Sequence, residues 1–262
     1  MLKSPNTFKW YDHLWAALIL FTRLPFWRFR QPSKSAYTAA VEWWPLTGWL
    51  TAATMAATLY LGSLILPYPV AVLLALAARL LVTGALHEDG LADFFDGFGG
   101  GGTDRHRILA IMKDSHIGTY GVLGLIFYAL LLIQTVASLP LAAALRMIVV
   151  GDPLAKLFAA QLTNTLPYVR PLAQSKVGAY RRMGVGDWCV LLLFGLLPLG
   201  VCFPLSAWWV IAAPAVLTAA MIAFLHRKIG GYTGDCCGAA FLLNELAFYL
   251  LATALCYGNL VG

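Results

Sequence analysis

Acidic residues are concentrated in one short stretch of this chain. Six of its twelve aspartates and glutamates fall within residues 87–118. Asp89, Asp93 and Asp96 are four and three residues apart, spacings that place side chains on one face of a helix. No lysine or arginine lies among them to offset their repulsion. Grouped carboxylates suit a hard cation such as Mg²⁺. We therefore predict a magnesium site there, with Asp114 as a fourth ligand, in preference to a solvated acidic face.

Basic and hydroxyl side chains follow the acidic stretch. Mg²⁺ held by carboxylates commonly completes its coordination shell with water and phosphate oxygens. The four glycines at 99–102 predict a flexible turn in preference to a phosphate loop, because no G-K-[ST] sequence follows. We expect a short helix after them, capped by Thr103. The predicted substrate-binding residues are Arg105, Arg107, Lys113, Ser115 and, from a second polar segment, Thr233.

That second polar segment covers residues 226–245. Asp235 opens the last apolar run, where an acid either caps the helix or joins the acidic site. Glu245 lies about two and a half turns into an apolar helix, and acids within a membrane are expensive and usually functional. His87 stands beside the aspartates. His87, Asp235 and Glu245 are therefore the predicted catalytic residues.

The composition indicates which elements position these residues. The chain is 60% hydrophobic and 11% charged, with a mean hydropathy of +0.75, whereas soluble domains are about 25% charged. Lipid admits only helices or closed barrels, and a spanning helix needs about 20 apolar residues. We predict an all-α, polytopic membrane bundle of seven to eight helices, forming one domain over residues 1–262. The apolar runs are 43–66, 69–86, 119–139, 141–166, 188–203, 206–225 and 239–260, with a shorter one at 14–21 that either spans or lies in the interface.

The distribution of charge predicts the topology. Lysines and arginines are enriched in cytoplasmic loops, and the basic residues of this chain, whose net charge is +6, cluster at 3–34, 105–113, 170–182 and 226–228. Three polar loops, 87–118, 167–187 and 226–238, are therefore expected on the cytoplasmic face of a bacterial inner membrane, with the active site among them. Nucleic-acid binding is not expected, because the basic residues form no stripe with aromatics.

Two functional classes fit these features. One is a membrane enzyme that moves a phosphate-linked group, and the other is an ion-coupled transporter. Transporter sites usually lie near the bilayer midplane, in broken helices. The acids here collect beside basic residues at a membrane surface, which favours the enzyme.

Longer motifs carry a family resemblance. "TGALHEDGLADFFDGFGGG" and "RILAIMKDSHIGTYG", followed by "GGYTGDCCGA" and then Glu245, resemble the cobalamin synthase family, the adenosylcobinamide-GDP ribazoletransferases. "FTRLP" (21–25) and "WPLTG" (44–48) also fit its pattern. The matches occur in the family's order and span nearly the whole chain.

The resemblance implies a reaction and its partners. A member of this family would join adenosylcobinamide-GDP to α-ribazole or its 5′-phosphate, release GMP, and form adenosylcobalamin or its phosphate. One or two Mg²⁺ ions on the aspartate face would hold the diphosphate, and the question of a homo-oligomer stays open. The alternative is a CDP-alcohol phosphotransferase of lipid synthesis, since "DFFDG" (93–97) matches the start of that family's motif but not the rest of it.

Overall fold

The computed structural model describes residues 11–171 and 179–261. Within these ranges the chain is helical, and the one β-type pairing is an isolated bridge between Tyr168 and Tyr232. The predicted all-α architecture is confirmed. The helices are α1 (Tyr11–Phe21), α2 (Trp44–Ser63), α3 (Tyr68–Thr83), α4 (Leu86–Gly100), α5 (Arg105–Ile111), α6 (Thr119–Ala137), α7 (Leu141–Ala159), α8 (Gln161–Thr165), α9 (Val185–Cys202), α10 (Ala212–Ile229) and α11 (Gly234–Val261). Shorter 3₁₀ segments cover Phe26–Arg28, Lys34–Trp43 and Leu205–Ile211.

Several of these helices can cross a membrane. Four described segments are long and apolar enough to cross a membrane: α6, α9, the 3₁₀ segment Leu205–Ile211 together with α10, and α11. The bent pair α3–α4 makes a fifth if it is counted as one span. This is fewer than the seven or eight spans counted from the sequence. Polar side chains keep the 20-residue α2 and the 19-residue α7 out of this group, and α1 has only 11 residues. The membrane-bundle prediction holds with a smaller set of clear spans.

A sharp break separates α3 from α4. Gly84 and Ala85 both adopt left-handed backbone conformations, with φ of 65° and 55°. Glycine tolerates this conformation, whereas alanine is strained by it. The break turns α4 by 92° from α3. The apolar run predicted at 69–86 therefore ends at Thr83, and the acidic helix leaves in a new direction.

The three polar loops predicted to share one side meet at one end of the bundle. The backbone N–H of Val169 donates to the carbonyl of Tyr232 at 3.1 Å, and the N–H of Tyr232 donates to Pro167 at 2.9 Å. Lys228 Nζ lies 3.4 Å from the carbonyl oxygen of Gly102. Residues 172–178 of the second loop lie outside the described residues.

The cap of α5 differs from the prediction. The carboxylate of Asp104 accepts hydrogen bonds from the backbone N–H groups of His106, at 2.8 Å, and Arg107, at 3.4 Å. The prediction of Thr103 as the cap is therefore wrong. Both residue types cap helices well, and the choice between neighbours depends on where the glycine turn ends.

Candidate active site

The acidic helix α4 crosses the start of α11 at very short range. A Cβ atom added to Gly90 would lie 3.0 Å from the Cα of Asp235. One added to Gly238 would lie 3.1 Å from the carbonyl oxygen of His87. Small residues allow membrane helices to approach this closely. Two glycines, one on each helix, thus bring the two polar segments of the sequence together.

Asp89, Asp93 and Asp235 lie within electrostatic range of one another at this crossing. Asp93 is half-buried and lies within electrostatic range of Asp235, Asp89 and Asp96. Asp235 also lies within range of Asp89. Asp89 itself is exposed to solvent. The crossing therefore concentrates negative charge where one side of the site remains open.

One arginine offsets part of that charge. Arg170 Nη2 lies 2.7 Å from Asp235 Oδ2 and donates a 3.0 Å hydrogen bond to the carbonyl of Met112. Its Nε atom is buried and has no acceptor among the described residues. Arg170 thus connects the loop after α8, the end of α5 and the start of α11.

The carboxylate of Asp235 contacts Arg170 rather than the backbone at the start of its own helix. The Thr233 hydroxyl donates to Asp235 Oδ2 at 3.3 Å, and it accepts the N–H of Cys236 at 3.4 Å. Thr233 therefore performs the capping that the sequence left open for Asp235. Thr233 is fully buried and holds the carboxylate of Asp235 in place.

Asp96 has different partners from the other two aspartates of its face. Its carboxylate accepts the N–H groups of Gly118 at 2.7 Å and Gly121 at 2.8 Å, at the start of α6. A carboxylate there stabilises the positive end of a helix. The structure thus places Asp96, a predicted metal ligand, at the N-terminus of α6.

Asp114, the fourth predicted ligand, lies on the surface. Its carboxylate accepts a 3.1 Å bond from the N–H of His116 and lies 2.7 Å from that imidazole. These hydrogen bonds lower the pKa of Asp114, and the carboxylate raises the pKa of His116. Four of the predicted substrate-binding residues are exposed as well: Arg105, Arg107, Lys113 and Ser115. Arg105 reaches toward the second polar segment, with Nη1 3.8 Å from where a Cβ on Gly230 would lie.

Glu245 lies deeper, in a buried ion pair. Both its oxygens accept from Arg79 Nη1, at 2.7 and 2.6 Å. The hydroxyls of Tyr128 and Tyr249 lie 3.3 and 3.1 Å from them. Ten residues of helix separate Glu245 from Asp235, about 15 Å along the axis. The structure therefore does not bring Glu245 to the carboxylates at the crossing.

His87 lies on the inner side of the crossing. It is buried against Phe21, Trp44 and Phe241, with ring centroids 6.3, 5.7 and 4.7 Å away. Neither ring nitrogen has a hydrogen-bond partner within the described ranges. An unpartnered buried imidazole is costly, so His87 remains a candidate for contact with a substrate.

The chemistry of the aspartates at the crossing is compatible with Mg²⁺. No three aspartate, glutamate, histidine or cysteine side chains within residues 11–171 and 179–261 already form a cluster that could hold a metal ion. Mg²⁺, however, keeps several waters and is usually held by one or two carboxylates plus substrate phosphates. Asp89 and Asp93, with Asp235 nearby, supply oxygen donors of this kind.

Comparison with known proteins identifies the family. The family model described as cobalamin-5-phosphate synthase matches residues 13–253. The chain belongs to the cobalamin-5-phosphate synthase family. A relative from Ralstonia nicotianae, named adenosylcobinamide-GDP ribazoletransferase, is 40% identical over 241 residues, which cover 89% of this chain and 91% of the relative. Relatives of the same name from Shewanella oneidensis and Shewanella frigidimarina are each 36% identical, over 92% and 94% of this chain and 93% and 97% of their own lengths. No solved structure matches.

Membership of the cobalamin-5-phosphate synthase family confirms the resemblance seen in the motifs. The chain is thus a membrane transferase of cobalamin biosynthesis, acting in assembly of the nucleotide loop. This decides against the lipid phosphotransferase and the transporter.

Several buried or paired charged residues of this cobalamin-5-phosphate synthase family member were not among the predicted site residues. Arg79 pairs with Glu245, and Lys156 pairs with Asp152 one helical turn away. Their signal was a charge within an apolar run, which predicts a functional or paired residue. Arg170 gave only the weaker signal of a basic loop, which is also explained by topology.

Proposed function

We propose that the chain joins adenosylcobinamide-GDP to α-ribazole or its 5′-phosphate at the crossing of α4 and α11. One observation carries this proposal. Motif residues from two distant segments, Asp93 and Asp235, lie within electrostatic range of each other beside the contact of Gly90 with Asp235, in a chain that matches the family over residues 13–253. The names of the relatives supply the donor, adenosylcobinamide-GDP.

The chemistry is an in-line displacement at phosphorus. A ribose hydroxyl oxygen of the acceptor forms a bond to the phosphorus attached to the cobinamide side chain. The phosphoanhydride bond to GMP breaks, and GMP leaves with the bonding electron pair. The hydroxyl proton passes to a base or to solvent. Positioning and neutralisation of charge supply most of the catalysis in such reactions.

Each residue at the crossing has a role in that scheme. Asp89 and Asp93 would hold Mg²⁺, which would neutralise charge on the diphosphate and on the leaving phosphate. Asp235 would add charge to the same site, held in place by Thr233 and Arg170. The Nε–H of Arg170, which has no acceptor among the residues that the structure describes, is a donor suited to a phosphate oxygen.

The basic loops support an orientation with the polar loops on the cytoplasmic side. The end of the bundle where the polar loops meet is rich in basic residues, including Arg105, Arg107 and Lys113, and such residues favour the cytoplasmic side. In a bacterial inner membrane, the site would then open toward the cytoplasm. Nucleotide substrates are available on that side.

Product analysis tests the proposal. The purified protein in lipid nanodiscs should be given adenosylcobinamide-GDP, Mg²⁺ and either acceptor, and the products separated by liquid chromatography with mass spectrometry. We expect GMP and the joined cobamide in equal amounts. Release of GMP without the cobamide, or no reaction with either acceptor, would contradict the proposal.

A matched pair of variants ties the reaction to the crossing. Asp93→Asn should lower the turnover by at least about a hundredfold, as loss of a preorganised charge does. Asp104→Asn removes a charge from an exposed acid in the same loop and keeps a good helix cap, since asparagine caps as well as aspartate. Its turnover should match the wild type.

A further inference from the structure

A cleft beside the crossing has no assigned ligand. It has a volume of about 430 Å³ and lies between α1 and the break that joins α3 to α4. Ile19, Leu20 and Leu86 form an apolar side. Thr22, Arg23 and Asp89 supply polar groups. Because Asp89 belongs to both, the cleft is continuous with the proposed active site.

Arg23 gives the cleft a fixed positive charge. Its side chain is exposed, and it makes no hydrogen bond or ion pair with any described residue. The backbone N–H of Arg23 donates to the carbonyl of Val82 at 2.7 Å. A Cβ atom on Gly84 would lie 2.2 Å from Arg23 Nε. The left-handed glycine at the break thus leaves room for the guanidinium, and its donors stay free for an anion.

The chemistry of the cleft distinguishes between the two nucleotides of the reaction. Arginine binds phosphate oxygens through two parallel N–H donors. The guanine of the donor carries amide and amino groups that need polar partners when buried, but the Thr22 hydroxyl already bonds to the backbone of Leu18 and Leu24, and the proposed function assigns Asp89 to Mg²⁺. The base of α-ribazole is a benzimidazole without such groups, and it suits the apolar side formed by Ile19, Leu20 and Leu86. The corrin ring is far too large for the cleft.

We infer that this cleft binds the acceptor nucleotide. The benzimidazole lies against the apolar side, the 5′-phosphate contacts Arg23, and the ribose points toward Asp89. This rests on the proposed function and places the 5′-phosphate of the acceptor at Arg23. Arg23 is then a residue that determines acceptor specificity.

Kinetics with both acceptors test this inference. In Arg23→Gln, the KM for α-ribazole 5′-phosphate should rise about tenfold or more, which is the loss of one charge-assisted contact. The KM values for α-ribazole and for adenosylcobinamide-GDP should stay within about twofold of the wild type. Arg28→Gln, an exposed arginine outside the cleft, is the matched control and should change none of them. Arg23→Lys keeps the charge without the fork and should fall between the wild type and the glutamine variant.

Several results would overturn the inference. In Arg23→Gln these are an unchanged KM for the phosphorylated acceptor, an equal rise in KM for both acceptors, and a rise in KM for the donor alone. Equilibrium dialysis with radiolabelled α-ribazole 5′-phosphate provides a second readout that needs no turnover. Weaker binding by Arg23→Gln than by the wild type supports the cleft, and equal binding contradicts it. Wild-type protein that binds this nucleotide but releases no GMP would instead count against the proposed function.

Discussion

Asp96 shows how one aspartate of a shared helix face takes on a different role. Its two backbone hydrogen bonds hold the start of α6. In Asp96→Ala the free energy of unfolding should fall by about 1–3 kcal/mol, because two N–H groups lose their acceptor. Thermal unfolding in detergent measures this loss. The Mg²⁺ midpoint of the remaining activity should not move. Unchanged stability with a raised midpoint would instead place Asp96 on the metal.

Glu245 is expected to act through stability. Arg79→Met would leave its carboxylate buried without a counter-charge, at a cost of about 3–5 kcal/mol. The double variant Arg79→Met/Glu245→Leu should regain part of that loss, because the buried Glu245 carboxylate is gone, whereas Glu88, 3.7 Å from Arg79 Nη2, still lacks its counter-charge. Thermal unfolding of the single and double variants is the measurement. If Glu245 were the catalytic base, Glu245→Gln would abolish turnover in a protein of normal stability.

The contact between α4 and α11 depends on Gly90. A methyl group there would lie 3.0 Å from the backbone of Asp235, and backbone atoms cannot rotate away. Gly90→Ala should therefore separate the helices slightly and lower turnover by at least about tenfold, since small misplacements of catalytic groups are costly. Gly186→Ala, at a position with open space around it, is the control. Equal activity of the two variants would mean that the crossing tolerates a wider spacing.

The break between α3 and α4 explains what the helix patterns could not predict. Apolar runs located most of the helices, because burial in lipid leaves a strong signal over 20 residues. The left-handed pair Gly84–Ala85 leaves no comparable signal, since "TGAL" can continue a helix. The run predicted at 69–86 therefore continued past the true end of α3, and the sequence did not predict the direction of α4.

The sequence predicted which polar segments meet better than it predicted the hydrogen-bond partners of their residues. Asp93 and Asp235 were correctly expected in one polar region, since the positive loops placed both at the same end. The partners of Asp96 and Glu245 lie 22 and 166 residues away. Such pairings are set by tertiary packing and have no local pattern in the sequence.

The arrangement of the polar loops predicts the topology of the chain. Thr103 lies in the polar end, and Ser138 follows α6 at the opposite end of that helix. In a background without native cysteines, Thr103→Cys should react with a membrane-impermeant maleimide from the cytoplasmic side. Ser138→Cys should react from the other side. Labelling of both from one side would contradict a spanning α6.

The central claim is that α4 and the start of α11 form one active site. The most direct test is a double-variant cycle on turnover, with Asp93→Asn, Asp235→Asn and the combination assayed for GMP release across a Mg²⁺ titration. Each single variant should lose at least about a hundredfold and shift the Mg²⁺ midpoint upward, and the pair should be little worse than either alone, because residues that act as a unit are not additive. A wild-type rate and an unshifted Mg²⁺ midpoint in Asp235→Asn would contradict the claim and leave Asp235 a structural partner of Arg170.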